Sequence, residues 1–456
     1  MSEVSFELHI KSIFPPQRDR VLRCTELLRH IPGKRRVYAA QFEGHEVIAK
    51  IYETRFCGKL QLPAEWSKIE RLAKKGLNSP KLCFYGRSEK GKWAIVTERI
   101  TNSATALELY QKAESGQAKI QVLLPLFAEL ARLNQAGIFQ KDLHLGNFLI
   151  GDRKVFSLDT ATMKFQRQPL GRKKSLRQLA ILSWYVPQER RDKLPHLLQK
   201  YAEVRGWKIT WDDEKYIERY MRKHIRREIR RQLKKTLRTS GRQIRFEQDN
   251  IVAVFDRTLC TGLDVASFLS AIDALMETGK VLKRRNTSFV SQVMIEGKNV
   301  VIKRYNHKGL WHSIRQSFRT SRARRSWVHG HRLVMLGLGT PRPLAYVEKR
   351  IGPVLWQSYI ITEHIDGPNL DAILINPQIS EQRKQNVRRQ VQELVTGLHK
   401  NRMTHGDLKR TNFVVTDEAV YVTDLDGMKV HLCGLLFRRR RSKDLSRLER
   451  MFTVNC

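Results

Sequence analysis

The sequence predicts a duplicated α+β fold: two tandem two-lobed domains, each with a β-rich N-terminal lobe and a helical C-terminal lobe, which is short in the second copy. Two observations lead to this prediction. GIFQKDLHLGNFLI at 137–150 and RMTHGDLKRTNFVV at 402–415 both place an aspartate five positions before an asparagine. The chain has 456 residues, enough for two or three domains at roughly 150 residues each.

The two halves align over further blocks in the same order. These are YAAQFEGHEVIAKIYE (38–53) with SQVMIEGKNVVIKRYN (291–306), EWSKIERLAKKGLNSP (65–80) with SWVHGHRLVMLGLGTP (326–341), VTER (96–99) with ITEH (361–364), and VFSLDTATMK (155–164) with VYVTDLDGMK (420–429). Such ordered blocks indicate a duplicated domain of roughly 200 residues rather than a short solenoid repeat. We place domain one at 1–245 and domain two at 246–456, with 246–285 as a connecting segment.

The local pattern is the same in each copy. Two β-rich stretches meet at Glu-Gly, and the second ends in VIAK or VIK, which puts a lysine on a strand. A helix follows, with Ile69, Leu72 and Ala73 on one face and a stop near Gly76. A strand after a proline and a strand ending at Thr-Glu come next. The Asp-to-Asn segment is then a loop between a helix and a hairpin.

One long basic run follows the first copy. From Ile217 to Leu237 every fourth residue is apolar, and such a stripe drifts about 40° per step. This geometry suits oblique packing along an i±4 ridge better than lying flat on a bilayer. We predict a structural helix that ends the first copy and whose basic outer face is free to touch anionic lipid.

The charge of the chain points to an anionic partner. Its 85 Lys and Arg residues against 45 Asp and Glu residues give a formal net charge of +40. Nucleic acid, an anionic membrane and a polyanionic substrate are the candidate partners. The sequence has no RRM, KH or zinc-finger signature, so nucleic acid ranks below the other two. Neither a signal-peptide pattern nor an apolar run of membrane length is present, which predicts a cytoplasmic protein.

Two basic runs occupy the same place in the repeat. KFQRQPLGRKKS at 164–175 and LLFRRRRSK at 435–443 both follow the aspartate that closes the hairpin. One interpretation is that these runs are solvent-exposed charged segments without a binding role. Because the feature occurs twice in one place, we favour an anionic acceptor bound by Arg172, Lys173 and Lys174 and by the arginines at 438–441.

The order of polar residues matches the requirements of phosphoryl transfer. Each copy has a strand lysine, an Asp-x4-Asn loop and an aspartate 12 residues beyond the asparagine. In this chemistry the lysine neutralises nucleotide phosphates, the first aspartate accepts the proton of the attacking hydroxyl, and asparagine and the last aspartate hold Mg²⁺. A single match would favour loop-tying or capping roles, whereas two ordered matches favour catalysis.

The chain resembles the protein-kinase-like superfamily and, within it, the lipopolysaccharide core kinases that phosphorylate heptose or 3-deoxy-D-manno-octulosonic acid (Kdo). The phrases that carry the resemblance are VVIKRYN, SRARRSWVHGHRL, LGTPRPLAYVE, HGDLKRTNF and RRRRSKDLSRL. It implies an ATP- and Mg²⁺-dependent kinase that phosphorylates a sugar hydroxyl of an anionic glycolipid. The expected location is the cytoplasmic side of a Gram-negative inner membrane, with peripheral contact to anionic lipid.

The resemblance also implies roles for particular residues. Lys50 and Lys303 would bind phosphate, Asp142 and Asp407 would be the catalytic bases, and Asn147, Asp159, Asn412 and Asp424 would be the metal ligands. Glu65 and Glu70 are the candidate partners of Lys50. The hinge that hydrogen-bonds adenine would lie just after Glu98 and Glu363.

The chain departs from the kinase pattern at several positions. Neither copy has a G-x-G-x-x-G motif, and Gln140 stands where a kinase loop has histidine. The positions of Glu65 and Glu70 are Ser326 and His331 in the second copy, which predicts that the second copy is the weaker kinase. Two alternatives stay open: a pair of pseudokinase modules that act as a binding scaffold in envelope biogenesis, or a protein kinase.

Overall fold

The chain divides into two compact units, unit one at 1–226 and unit two at 227–456. The computed structural model describes residues 5–14, 19–31, 33–53, 55–151, 154–306, 320–352 and 354–453. Each unit contains one copy of the repeat, and strands precede helices in both. The α+β class follows from this order, while the arrangement of each unit as two lobes around a cleft stays a prediction.

Unit one begins with a closed antiparallel barrel in the strand order β1-β2-β3-β4-β6-β5, in which β5 pairs back onto β1. Its strands are β1 (Phe6–Phe14), β2 (Asp19–Ile31), β3 (Arg35–Phe42), β4 (His45–Tyr52), β5 (Leu82–Ser88) and β6 (Trp93–Glu98). Alternating side chains of these strands fill the barrel interior, among them Ile10, Leu22 and Phe84.

The rest of unit one is helical, with short hairpins that carry the polar loop. Its helices are α1 (Arg55–Lys74), α2 (Ala106–Lys112), α3 (Gly116–Gln135), α4 (Arg172–Leu182), α5 (Leu194–Arg205) and the first part of α6 (Trp211–Lys235), which continues into unit two. The short strands are β7 (Ser103–Thr105), β8 (Ile138–Gln140), β9 (Phe148–Gly151), β10 (Lys154–Ser157) and β11 (Met163–Phe165). Pairing of β9 with β10 and of β8 with β11 holds the loop from both sides.

Unit two is built on a seven-stranded antiparallel sheet in the order β12-β13-β17-β18-β16-β15-β14. Its strands are β12 (Gln243–Gln248), β13 (Ile251–Asp256), β14 (Lys280–Arg285), β15 (Ser288–Ile295), β16 (Lys298–Tyr305), β17 (Pro343–Ile351) and β18 (Val354–Glu363). The interpretation of 246–285 as a connecting segment was wrong. β13 and β14 belong to the sheet. In β13, which pairs with both β12 and β17, the four consecutive residues 253–256 are buried.

Helices and short hairpins complete unit two. The helices are α7 (Arg257–Cys260), α8 (Val265–Thr278), α9 (Arg322–Met335), α10 (Leu370–Ile375), α11 (Glu381–Lys400) and α12 (Gly434–Phe452). The short strands are β19 (Met403–Thr404), β20 (Phe413–Val415), β21 (Val420–Val422) and β22 (Lys429–Val430). The apolar stripe of α11, with Val387, Val391 and Leu398, packs against the hairpin in one buried cluster.

Local signals of the sequence are present in the structure. Both Glu-Gly turns have two residues at positive φ, Glu43 and Gly44 in unit one and Glu296 and Gly297 in unit two, as a two-residue type I′ hairpin requires. Ile69 and Leu72 of α1 are buried, but Ala73 is exposed.

The predicted long helix is α6, and its stripe is buried from Ile217 through Leu233. Leu237 follows the end of the helix and packs, partly buried, against a cluster around Trp327. The division between the units falls inside α6, before the boundary at 245 that the sequence predicts.

Candidate functional site

In unit one the strand lysine lies against a glutamate of α1. The ammonium of Lys50 is 2.8 Å from Oε1 of Glu65, and the hydroxyl of Tyr52 donates to Oε2 of the same residue at 3.0 Å. Glu65 is only 1% exposed. Burial opposes ionisation, but the ammonium of Lys50 outweighs it and keeps the pKa of Glu65 below its ordinary value. Lys50 is therefore fixed by an ionised partner.

The other glutamates named from the sequence lie elsewhere. Glu70 is exposed and, with Glu98, lines a separate cavity of about 650 Å³, so Glu65 is the partner of Lys50 and Glu70 is not. The carboxylate of Glu98 accepts the backbone amide of Lys81 at 2.9 Å. Glu363 accepts that of Arg342 at 2.7 Å in unit two. These two carboxylates fix strand ends, and adenine binding after them stays a prediction.

The polar loop of unit one brings three predicted site residues together. The side-chain amide of Asn147 donates to the carbonyl of Asp142 at 2.7 Å. The carbonyl of Asn147 in turn accepts the amide of Leu158 at 2.8 Å, which places Asp159 beside the loop. Asp159 is in the left-handed region with φ of 48°, a conformation that aspartate tolerates better than most residues. Its turn is tied to α1, because Lys68 donates to the carbonyl of Ala161.

The chemistry of these donors fits a magnesium ion bound with a nucleotide. The half-buried carboxylate of Asp159 has no hydrogen bond or ion pair to any residue that the structure describes. In the described ranges no three His, Cys, Asp or Glu side chains converge on one point. Mg²⁺ in nucleotide sites needs only one or two carboxylates, because phosphates and water supply its other ligands. Asn147 and Asp159 are the residues that would hold it.

The second lysine makes a different contact. The ammonium of Lys303 is 2.6 Å from Oδ1 of Asp424. Burial would raise the pKa of Asp424, but Lys303 outweighs it and lowers the value to about 2. Asp424 has φ of 60°, like Asp159. Lys303 therefore pairs with the predicted metal ligand of its own copy.

The positions of Glu65 and Glu70 are occupied in unit two by Ser326 and His331, which carry no carboxylate to pair with a lysine. Ser326 contacts the hydroxyl of Tyr305 at 3.1 Å, just as Glu65 contacts Tyr52. His331 packs on Trp327 with ring centroids 4.2 Å apart, and burial lowers its pKa to about 4. Arg322 of α9 pairs with Asp426 instead, so a cation again ties this helix to the aspartate turn.

The loop of unit two has more charged contacts than its counterpart. Asn412 donates to the carbonyl of Asp407 at 2.9 Å, as in unit one, and Lys409 lies 2.6 Å from the carboxylate of Asp407. The buried imidazole of His405 contacts the carbonyl of Thr423 through Nε2 at 3.0 Å and accepts the amide of Asp407 at Nδ1. One histidine thus connects the loop to the strand that leads to Asp424.

The sequence reasoning missed the residue that anchors this loop. The carboxylate of Asp444 in α12 accepts the amides of His405 at 2.8 Å and Gly406 at 3.1 Å. Asp444 lies on the buried stripe of α12 with Leu448 and Met451. A charged residue on an apolar stripe at i, i+4 and i+7 was the signal that could have found it.

Unit one anchors the same loop with neutral amides. Gln178 of α4 donates to the carbonyl of Gln140 at 2.7 Å and accepts from Asn134 at 2.9 Å. The side chain of Gln140 is buried, yet neither of its polar atoms has a partner among the described residues. Gln140 therefore makes none of the side-chain contacts that His405 makes in unit two.

The two basic runs also differ. Arg172 pairs with Asp213, donates to the carbonyl of Lys208 at 2.7 Å and stacks on Trp207. Although Arg172 is exposed, these contacts fasten α4 to its own unit; Lys173 and Lys174 are exposed as well. In unit two a cavity of about 400 Å³ adjoins the loop and is lined by Thr404, Gly406, Leu436, Arg439, Arg440, Lys443, Asp444 and Arg447.

One family model matches the chain twice. It is described as the lipopolysaccharide kinase (Kdo/WaaP) family, and it matches residues 19–185 and 275–455. No curated protein matches the chain. The two matched regions contain both strand lysines, both Asp-to-Asn loops and both aspartate turns. Because they cover well over half of the sequence, the chain belongs to the lipopolysaccharide kinase family, with two tandem copies of its domain.

Proposed function

We propose that the protein uses ATP and Mg²⁺ to phosphorylate a sugar hydroxyl, of heptose or Kdo, in the lipopolysaccharide core. We further propose that turnover takes place mainly in the first copy. Family membership gives the general class, a kinase of lipopolysaccharide. The observations that support the rest are the Lys50–Glu65 pair on a helix that Lys68 ties to the aspartate turn, and an Asp159 carboxylate without a partner among the described residues.

The mechanism that we propose assigns one task to each residue. Asp142 accepts the proton of the sugar hydroxyl, whose oxygen attacks the γ-phosphorus of ATP, and ADP leaves as the P–O bond breaks. Lys50, held by Glu65, neutralises the phosphates. Mg²⁺, when bound, would add charge neutralisation at the phosphate oxygens. Asn147 also holds the Asp142 backbone, so it positions the base as well as contributing a ligand.

The acceptor in this proposal is anionic. The cavity beside the loop of unit two is lined by three arginines and one lysine, with one buried carboxylate that is already bonded to the loop backbone. Arginine side chains suit bidentate recognition of phosphate and carboxylate groups, which the inner core carries. We propose that these residues bind the core oligosaccharide in unit two, and that Lys173 and Lys174 contribute to acceptor binding in unit one.

The start of α12 supports peripheral binding to an anionic membrane. Leu432, Leu435 and Leu436 are 78%, 75% and 58% exposed. Four consecutive arginines, 438–441, follow after Phe437. Apolar side chains that enter the bilayer interface and cations that contact anionic headgroups together give interfacial binding. Among the residues that the structure describes, no helix could serve as a membrane span.

The experiment that tests the proposal is transfer of labelled γ-phosphate from ATP to purified core glycolipid. We expect Mg²⁺-dependent label in the glycolipid and none in a protein substrate. Absence of both ATP binding and transfer would leave the scaffold as the better account, and label in protein alone would favour a protein kinase.

Binding to vesicles with and without anionic lipid tests the membrane contact. The double variant Leu435→Glu with Leu436→Glu should weaken this binding.

A further inference from the structure

Both units lack the glycine-rich turn that wraps nucleotide phosphates with backbone amides. In unit one the turn between β2 and β3 contains Gly33, but its amide already donates to the carboxylate of Glu53 at 2.6 Å. In unit two the turn between β14 and β15 comprises residues 286–287 and has no glycine. Phosphate binding in this protein therefore needs donors other than that turn.

Such a donor lies across the sheet from the strand lysine of unit two. Lys283 on β14 pairs with Val290 on β15, and Val290 pairs with Lys303 on β16. Directly paired residues of antiparallel strands project from the same face. Neighbouring strands are about 4.8 Å apart, so the two lysine backbones are roughly 10 Å apart with both side chains on one face. Two long cationic side chains at that spacing can reach one polyphosphate.

Unit one repeats the arrangement with different residues. Arg29 on β2 pairs with Val37 on β3, and Val37 pairs with Lys50 on β4. In both units the strand register shifts just before the cation, between residues 27 and 29 and between residues 281 and 283. Such a bulge re-aims the side chains that follow it. The same bulge and a cation at the same place in both copies indicate a shared use.

The charges around Lys283 support this use. Lys283 is half-buried, and burial followed by the charges of Arg285, Lys409 and Lys303 lowers its pKa. The carboxylate of Asp424 acts in the opposite sense, but it already pairs with Lys303. Repulsion between these neighbouring cations raises the free energy of the folded protein, and a bound anion would offset it.

We propose that Lys283 in unit two and Arg29 in unit one are second phosphate-binding cations, which grip the phosphate chain of a nucleoside triphosphate together with Lys303 and Lys50. They take the place of the backbone amides of a glycine-rich turn. This inference rests on the proposed function, because it assumes that each copy meets ATP.

The test compares ATP with adenosine on the full chain. The double variant Arg29→Met with Lys283→Met should bind ATP about tenfold more weakly or worse, since bonds to charged groups are among the stronger ones, while adenosine affinity stays unchanged. Arg29→Lys with Lys283→Arg keeps both cations and should retain ATP affinity. Arg284→Met is the control, because Arg284 pairs with Phe289 on the opposite face of the same strand.

Each outcome separates this inference from the proposed function. Wild-type protein that binds ATP, with a double variant that binds it equally well, would overturn the second cation and leave the kinase proposal standing. Equal loss of ATP and adenosine would also overturn it, because a phosphate clamp does not touch the nucleoside. Wild-type protein that binds no ATP would contradict the kinase proposal itself. If the methionine pair does not fold, Arg29→Gln with Lys283→Gln replaces it.

Discussion

The strand lysines at equivalent positions of the two copies have different partners. Lys50 lies 2.8 Å from Glu65, whereas Lys303 lies 2.6 Å from Asp424. Ser326 occupies the position of Glu65 and contacts the equivalent tyrosine, so one residue change removes the carboxylate from the helix. The ammonium of Lys303 pairs instead with Asp424, which is the predicted metal ligand. A metal at Asp424 would have to compete with Lys303, whereas one at Asp159 would not.

The contacts that hold the Asp-to-Asn loop favour the second copy instead. In unit two His405 and Asp444 bind the loop through an imidazole and a carboxylate. In unit one the neutral Gln178 binds it, and the Gln140 side chain has no partner among the residues that the structure describes. The first copy thus has the better placed lysine and the second has the more firmly held base. We weight the lysine more heavily, because in the first copy the predicted metal ligand Asp159 also has no ion pair to any described residue.

The largest expected effect comes from removing the base in each copy. Asp142→Asn should lower the rate of phosphoryl transfer by roughly 10² to 10⁴, the usual contribution of a general base. Asp407→Asn should cost much less if the first copy turns over. Steady-state rates of the two variants, with ATP affinity as the control for folding, make the comparison. A reversed ranking would mean that we have assigned the active copy backwards.

A smaller effect is expected from the partners of the two lysines. Glu65→Gln removes a buried charge beside Lys50 and should reduce activity by about 10- to 100-fold through misplacement, and stability by about 1–3 kcal/mol. Ser326→Ala removes one neutral hydrogen bond to Tyr305, so it should cost about 1 kcal/mol and leave activity unchanged. Hydrogen exchange should show the loosening in unit one for the first variant and in unit two for the second. Equal loss of activity in both would contradict the comparison.

The smallest effect concerns the loop anchors and has opposite signs in the two copies. Gln140→Leu removes a buried polar group that has no partner in the described structure, so it should stabilise the protein by about 1 kcal/mol. His405→Leu removes an imidazole with two partners and should destabilise it by about 1–3 kcal/mol. Chemical denaturation measures both. A destabilised Gln140→Leu would show that this glutamine has a partner after all.

Much of the fold could be predicted because local signals and the repeat agreed. The Glu-Gly turns, the stop at Gly76 and the buried stripe of α6 follow from turn chemistry and helical periodicity. The strands within 246–285 were missed because they pair with β17 and β15, so their partners are distant or lie in the next hairpin. The aligned blocks of the second copy begin at residue 291, so the comparison of the two copies did not include these strands.

The site was predicted less completely than the fold. Residue types and spacing predicted Lys50, Asp142 and Asn147 as site residues, because the same types recur in the same order in both copies. Spacing could not choose between Glu65 and Glu70, because both are on α1 and only packing decides which one faces the sheet. It also could not show that Arg172 would bind Asp213, a partner 41 residues away. Long-range ion pairs depend on tertiary structure, which a single sequence does not contain.

The most direct test of the central claim is mass spectrometry of the core oligosaccharide from a deletion strain and from the same strain complemented with variants. The account predicts loss of a phosphate in the deletion, about 80 Da for one phosphoryl group. The intact gene and Asp407→Asn should restore this mass, and Asp142→Asn should not. An unchanged core profile in the deletion strain would contradict the lipopolysaccharide kinase proposal.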